Sequence, residues 1–162
     1  MTRTSSLLIA LAICTMAAAL EGVCAGKNVK AYFAKLKFPA YSPPLWVWYL
    51  IGFAYYAIFF FVIYRTLRHQ GDVVLKNSTF TLVLFMMGAN AFWNYIFFRA
   101  QNLFVSYVGS TLAPVFDIAL LVCLIRLDRV AAWSLVPYLL YRLYAVWWGY
   151  GLWKENRPSL ES

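Results

Sequence analysis

The chain has 162 residues, 64% of them hydrophobic and 12% charged, with a mean hydropathy of +0.68 and a net charge of +8. A soluble domain averages about half apolar and about a quarter charged, and disorder needs low hydrophobicity, so both classes are excluded. Three cysteines are few and odd in number for a disulfide scaffold, which leaves one integral, multi-pass, all-α membrane domain over residues 1–162.

The first apolar run covers residues 5–25, behind Arg3, and ends small at Val23-Cys24-Ala25. It reads equally as a cleaved signal peptide or as a first membrane helix. Gly22 and Gly26 form a G-x-x-x-G at its end, which keeps a homodimer among the candidate partners. The link 26–42 then carries Lys27, Lys30, Lys35 and Lys37, followed by Phe38-Pro-Ala-Tyr-Ser-Pro-Pro44. Prolines stop a helix running through, and a new helix can start at Pro43 or Pro44. This link is expected to be ordered and to fold over the bundle.

Four more runs follow. Pro43–Tyr64 and Thr79–Phe98 hold no charge, Leu103–Ile125 holds only Asp117, and Val130–Trp153 holds only Arg142. At helical rise, about 20 residues cross the roughly 30 Å hydrocarbon core, and only helices or closed barrels satisfy the backbone there. None of the runs alternates polar and apolar residues, so the expected fold is a five-transmembrane-helix bundle with helices near 5–25, 43–64, 79–98, 103–125 and 130–153. The lipid bilayer is the first partner. The basic residues fall between the runs, where they anchor at lipid phosphates. No motif or basic stripe points to nucleic acid. Six Lys or Arg on one side against seven on the other do not orient the chain, and the host membrane stays open.

Candidate chemistry is sparse. Cys14, Cys24 and Cys123 have no metal-ligand spacing and read as small apolar side chains, so no metal site is expected. The single His69 lies in a polar link, and neither a nucleophilic triad, a phosphate loop nor paired carboxylates are present. Aromatics make up 20% of the chain; some belong to interfacial belts, while Tyr55, Tyr56, Trp93, Tyr138, Tyr141 and Tyr144 lie mid-run. Asn90, Trp93, Asn94 and Phe97 share one helix face. Two amides there face either other helices or a pocket, because amides in lipid are costly. Asp117 and Arg142 are expected to pair between the last two helices, with Arg142 alternatively meeting a ligand carboxylate. Val146, Tyr150 and Lys154 fit a proposed cholesterol pattern, which three other places in the chain also fit.

Several strings, in order, resemble the translocator protein family, also called tryptophan-rich sensory protein or TspO/MBR. They are Phe38-Pro-Ala-Tyr-Ser-Pro-Pro-Leu-Trp46, Asn90-Ala-Phe-Trp93 with Phe97-Phe98, Asp117, Leu127-Asp128 and Val136-Pro-Tyr-Leu139. The resemblance implies a five-helix bundle, a retained first helix, and a pocket closed by the 26–42 link. It implies binding of porphyrins, and in some members cholesterol. By position, Trp46, Tyr56, Asn90, Trp93, Tyr138 and Ala145 match residues near the family pocket, and Tyr150 matches the tyrosine of its cholesterol segment. Two tryptophans tied to light-dependent porphyrin breakdown in some members are replaced here by Gly52 and Tyr141, and Arg142 stands where an apolar or small residue is usual. Glycine has no ring to stack on a porphyrin and cannot form an aromatic radical.

The reading is a binding protein, transporter or sensor for a hydrophobic ligand, protoporphyrin IX or haem first and a sterol second. No cofactor is required and no catalytic residue is assigned. The rivals are a light-dependent porphyrin-degrading enzyme, against which Gly52 and Tyr141 argue, and a structural or regulatory membrane subunit without a small ligand.

Overall fold

A computed structural model describes residues 2–157; residue 1 and residues 158–162 of the expected domain lie outside the described residues. Six helices run in the order α1 (Arg3–Ala25), α2 (Val29–Lys35), α3 (Leu45–Arg68), α4 (Val73–Asn94), α5 (Leu103–Leu127) and α6 (Arg129–Asn156). There is one helix more than the expected five, because α2 forms inside the 26–42 link.

Among the described residues, four segments are long and apolar enough to cross a membrane: Arg3–Ala25, Leu45–Arg68, Val73–Arg99 and Leu103–Leu127. The chain is therefore an integral, multi-pass membrane protein. Five crossing helices were expected. At 28 residues α6 has the length, but Arg129, Arg142, Lys154, Glu155 and its tyrosines and tryptophans hold its hydropathy down. Large apolar side chains such as Leu11, Phe53, Val115 and Leu140 are exposed on the outer faces, as helices in hydrocarbon require.

Helix ends depart from the apolar runs for local reasons. α3 starts at Leu45 rather than at Pro43, since Pro44 is still extended. It runs on to Arg68, so only His69–Asp72 separate it from α4. The Asp72 carboxylate accepts the Leu75 N–H at 3.0 Å and caps α4 ahead of the polar stretch Lys76-Asn77-Ser78. Hydropathy marks the lipid-crossing stretch, whereas the cap marks the helix end. α4 ends in one π-helical turn, Tyr95–Arg99. α1 packs on α3 and α4, and α5 on α6.

Asp128 is the single residue between α5 and α6 and the cap of α6. It accepts the Val130 and Ala131 N–H groups at 3.0 and 3.2 Å, and Arg65 Nε and Nη2 at 2.6 and 2.9 Å. Partial burial pushes its carboxyl upward, but Arg65 and the two amides outweigh that and hold it below the usual carboxylate range. Its contribution to stability is then full above the ordinary value of about 4 and is lost as pH falls through the lower folded value. Asp128→Ala is expected to cost about 1 kcal/mol at neutral pH, mostly through the cap. Melting curves of the two proteins should converge in acid; a constant gap down to the lowest pH at which both fold would contradict this.

Candidate functional site

The inner faces of α1, α3, α4, α5 and α6 surround a cavity of about 450 Å³. Of the ten ligand-contact candidates (Trp46 and the nine that follow), nine line it: Tyr56, Asn90, Trp93, Asn94, Phe97, Tyr138, Tyr141, Arg142 and Ala145. They come from three helices, so tertiary packing alone brings them together.

On the α4 wall, Trp93 stacks on Phe97 with ring centres 4.9 Å apart and planes 13° from parallel. The Trp93 indole N–H donates to the Ser106 carbonyl on α5 at 3.0 Å, which fixes the ring plane. Phe97 lies in the π turn and is almost fully buried. The inserted residue of a π turn shifts the side chains that follow it, and such turns recur at functional sites.

On the α6 wall, Arg142 Nε donates to Asp117 Oδ2 at 2.9 Å, bridging α6 and α5. Asp117 is buried, at 1% exposure. Among the described residues only the Nε of the guanidinium is hydrogen-bonded, which leaves the Nη hydrogens for another acceptor. The charge also lies over the Tyr138 ring, 5.8 Å from its centre.

The α1 wall carries a residue that the sequence reading missed. Glu21 lines the cavity. Its Oε2 accepts the Tyr56 hydroxyl at 2.6 Å; its Oε1 accepts Asn94 Nδ2 at 3.1 Å and also Asn90 Nδ2. The paired amides of α4 thus converge on one carboxylate. Four residues from the end of an apolar run, an acid looks like an interfacial charge. The available signal was that Glu21 is the only acid in the first three runs.

Two buried hydroxyls, Tyr55 Oη and Ser106 Oγ, have no hydrogen-bond partner among the described residues, and both residues line the cavity. Buried polar atoms are nearly always paired, so these two are exceptions; both oxygens are closed off from the cavity space itself.

The 26–42 link adds Gly26, Val29 and Phe33 to the cavity lining and is tied to α6. Trp148 donates its indole N–H to Ser42 Oγ at 3.0 Å, and Tyr144 donates its hydroxyl to the Tyr41 carbonyl at 3.1 Å. Tyr41 takes the left-handed conformation, φ 61°, to present that carbonyl. At the far end of α6, Lys37 N–H donates to Asn156 Oδ1 at 2.9 Å while Asn156 Nδ2 donates to the Lys37 carbonyl at 2.7 Å. Gly151 lets Pro39 approach: a Cβ there would meet the proline ring at 2.8 Å.

Other singled-out residues lie elsewhere. Trp46 is 63% exposed and outside the cavity, whereas Trp48 lines it. Two residues turn a helix by about 200°, which puts the two indoles on opposite sides of α3. Val146, Tyr150 and Lys154 lie off the cavity on the outer side of α6, where Tyr150 packs on Tyr107 and Trp153. Gly22 and Gly26 line the cavity, so this small-residue pair is on the inner side of α1. Gly52 also lines it, and a Cβ there would meet nothing within 4 Å.

The model of the TspO/MBR family matches residues 9–154. The Tryptophan-rich protein TspO of Bacillus cereus is 24% identical over 129 residues, which cover 78% of this chain and 82% of that protein.

Proposed function

The chain belongs to the TspO/MBR family, and from that premise we propose that its cavity binds a flat, mostly apolar ligand bearing carboxylates, a porphyrin such as protoporphyrin IX or haem. The observation that carries the reading is the pairing of aromatic walls with a half-engaged guanidinium. Trp93, Phe97, Tyr138 and Tyr141 line the cavity with aromatic side chains, and Arg142 lines it with its Nε bonded to Asp117. A volume of about 450 Å³ lies in the range of small-molecule sites. Apolar burial supplies affinity, and the Arg142 hydrogen bonds orient a propionate. In this reading α6 is a fifth membrane-crossing helix, since its one mid-helix charge is turned inward and paired. Sensing or transport follows from occupancy of the cavity.

Two alternatives are weaker. Photochemical breakdown of the ring lacks support at Gly52, where there is open space in place of an indole. A sterol on Val146, Tyr150 and Lys154 would sit on the outer surface of α6, apart from the cavity.

Titration of protoporphyrin IX in the dark into the detergent-purified protein, followed through its seven tryptophans, is expected to give saturable quenching. Illumination of the complex is then expected to leave the porphyrin absorbance unchanged. Absence of saturable quenching removes the porphyrin reading. Protein-dependent bleaching moves the weight to the enzyme, with Tyr141 as the residue to change first.

A further inference from the structure

Glu21 is not needed by any part of the porphyrin reading, yet it is the most elaborately held side chain in the cavity. An ionised carboxylate has about four lone-pair sites. Two on Oε1 are taken by Asn90 and Asn94, and one on Oε2 by Tyr56. One site on Oε2 is left, on a residue that lines the cavity. All three donors are neutral. Among the described residues the ion pairs within 4.0 Å are Arg65–Asp128 and Arg142–Asp117, and neither includes Glu21. The contrast with Asp117 is direct, since that acid has its own guanidinium and lies off the cavity lining.

Neutral dipoles hold a carboxylate in place without cancelling its charge. The remaining lone pair and the remaining charge both call for a cationic donor. An inorganic ion is a poor match, because hard cations take several oxygen ligands and both asparagines turn N–H groups toward this carboxylate. The surroundings suit an organic cation instead. The rings of Tyr55 and Tyr56, 5.0 Å apart, and of Trp93 line the same cavity, and aromatic faces attract ammonium groups.

We propose that Glu21 is a recognition group for a protonated amine, or a similar cationic N–H donor, on an apolar ligand of this cavity. The inference rests on the reading of the cavity as a ligand site. It also divides the cavity by charge, with carboxylates admitted at the Arg142 wall and repelled at the Glu21 wall. A dicarboxylate such as protoporphyrin IX would then keep both propionates away from α1.

The test uses two nitroaromatic quenchers of nearly equal shape, N,N-dimethyl-4-nitrobenzylamine and its uncharged carbon analogue 1-isobutyl-4-nitrobenzene. Each is titrated into the purified full chain near neutral pH, at one fixed detergent concentration, with tryptophan fluorescence as the readout. The amine is expected to bind about tenfold or more tightly than the analogue, as a charge-assisted hydrogen bond gives. Glu21→Gln should erase that preference by weakening the amine alone. Tyr56→Phe should widen the preference, because it frees the second Oε2 lone pair; this variant decides the matter if Glu21→Gln fails to fold. Equal binding of the two probes to the wild type overturns the proposal and leaves the cavity reading intact, as does a preference that survives in Glu21→Gln or shrinks in Tyr56→Phe. Saturable binding of neither probe overturns the cavity reading and the proposal together.

Discussion

Arg142→Met is expected to lower the stability of the protein by about 3–5 kcal/mol, and addition of Asp117→Asn to restore most of the loss. The reason lies in what each change leaves behind. The guanidinium and carboxylate meet at 2.9 Å, with side-chain exposures of 14% and 2%. Removing the cation alone strands an anion between two helices, far from water. Neutralising both leaves an amide beside a thioether, which helix packing tolerates. Unfolding by a graded denaturing detergent, read for the single and double variants, measures the coupling directly. Equal losses in both variants would show that the pair contributes packing rather than charge compensation. The double variant also isolates the ligand role. If it folds and binds protoporphyrin IX as tightly as the wild type, Arg142 does not hold a propionate.

Trp148→Ala is expected to cost a similar amount, about 3–5 kcal/mol, through the cavity it leaves. Trp148 is 4% exposed and packs with Tyr32, Phe97 and Leu152. Its ring centre lies 4.5 Å from that of Trp48, and its N–H reaches Ser42. The indole therefore joins α6 to α4, to α3 and to the link. Trp148→Phe keeps most of the packing and loses the hydrogen bond, for about 0.5–1.5 kcal/mol. Hydrogen exchange should show residues 37–42 loosened in both variants, and ligand dissociation should quicken with it. A Phe variant as protected as the wild type would mean that the Ser42 contact does not hold the link.

The sequence made most of this architecture legible because a membrane leaves few choices. Long apolar runs must be helices, and prolines and polar turns must lie between them. The same logic placed Asn90, Trp93, Asn94 and Phe97 on one face, and they do share a wall of the cavity. Other features were hidden for definite reasons. α2 is seven residues of mixed Lys and aromatic character, too short to leave a periodic signal. The outward turn of Trp46 depends on where α3 begins, which the three prolines 39, 43 and 44 leave undefined by a residue or two. Glu21 was missed because hydropathy scores a charge near a run's end as surface, and only the packing of α1 against α4 shows what it faces. The aromatic residues of α6 gave no sense of depth, so the buried Trp148 and the exposed Trp147 were indistinguishable.

The paired hydrogen bonds between Lys37 and Asn156 tie together residues 119 apart in the chain. Topologically, they close α3 to α6 into a ring without a covalent bond. The α1–α2 arm enters that ring from outside and is fastened by side-chain packing and by the Glu21 contacts. Because closure entropy grows only slowly with loop length, lengthening the His69–Asp72 turn costs the ring little. The two kinds of entrance to the cavity are therefore unequal. A guest that parts α1 from α3 and α4 leaves the ring closed, whereas one that enters past the link and α6 must first open it.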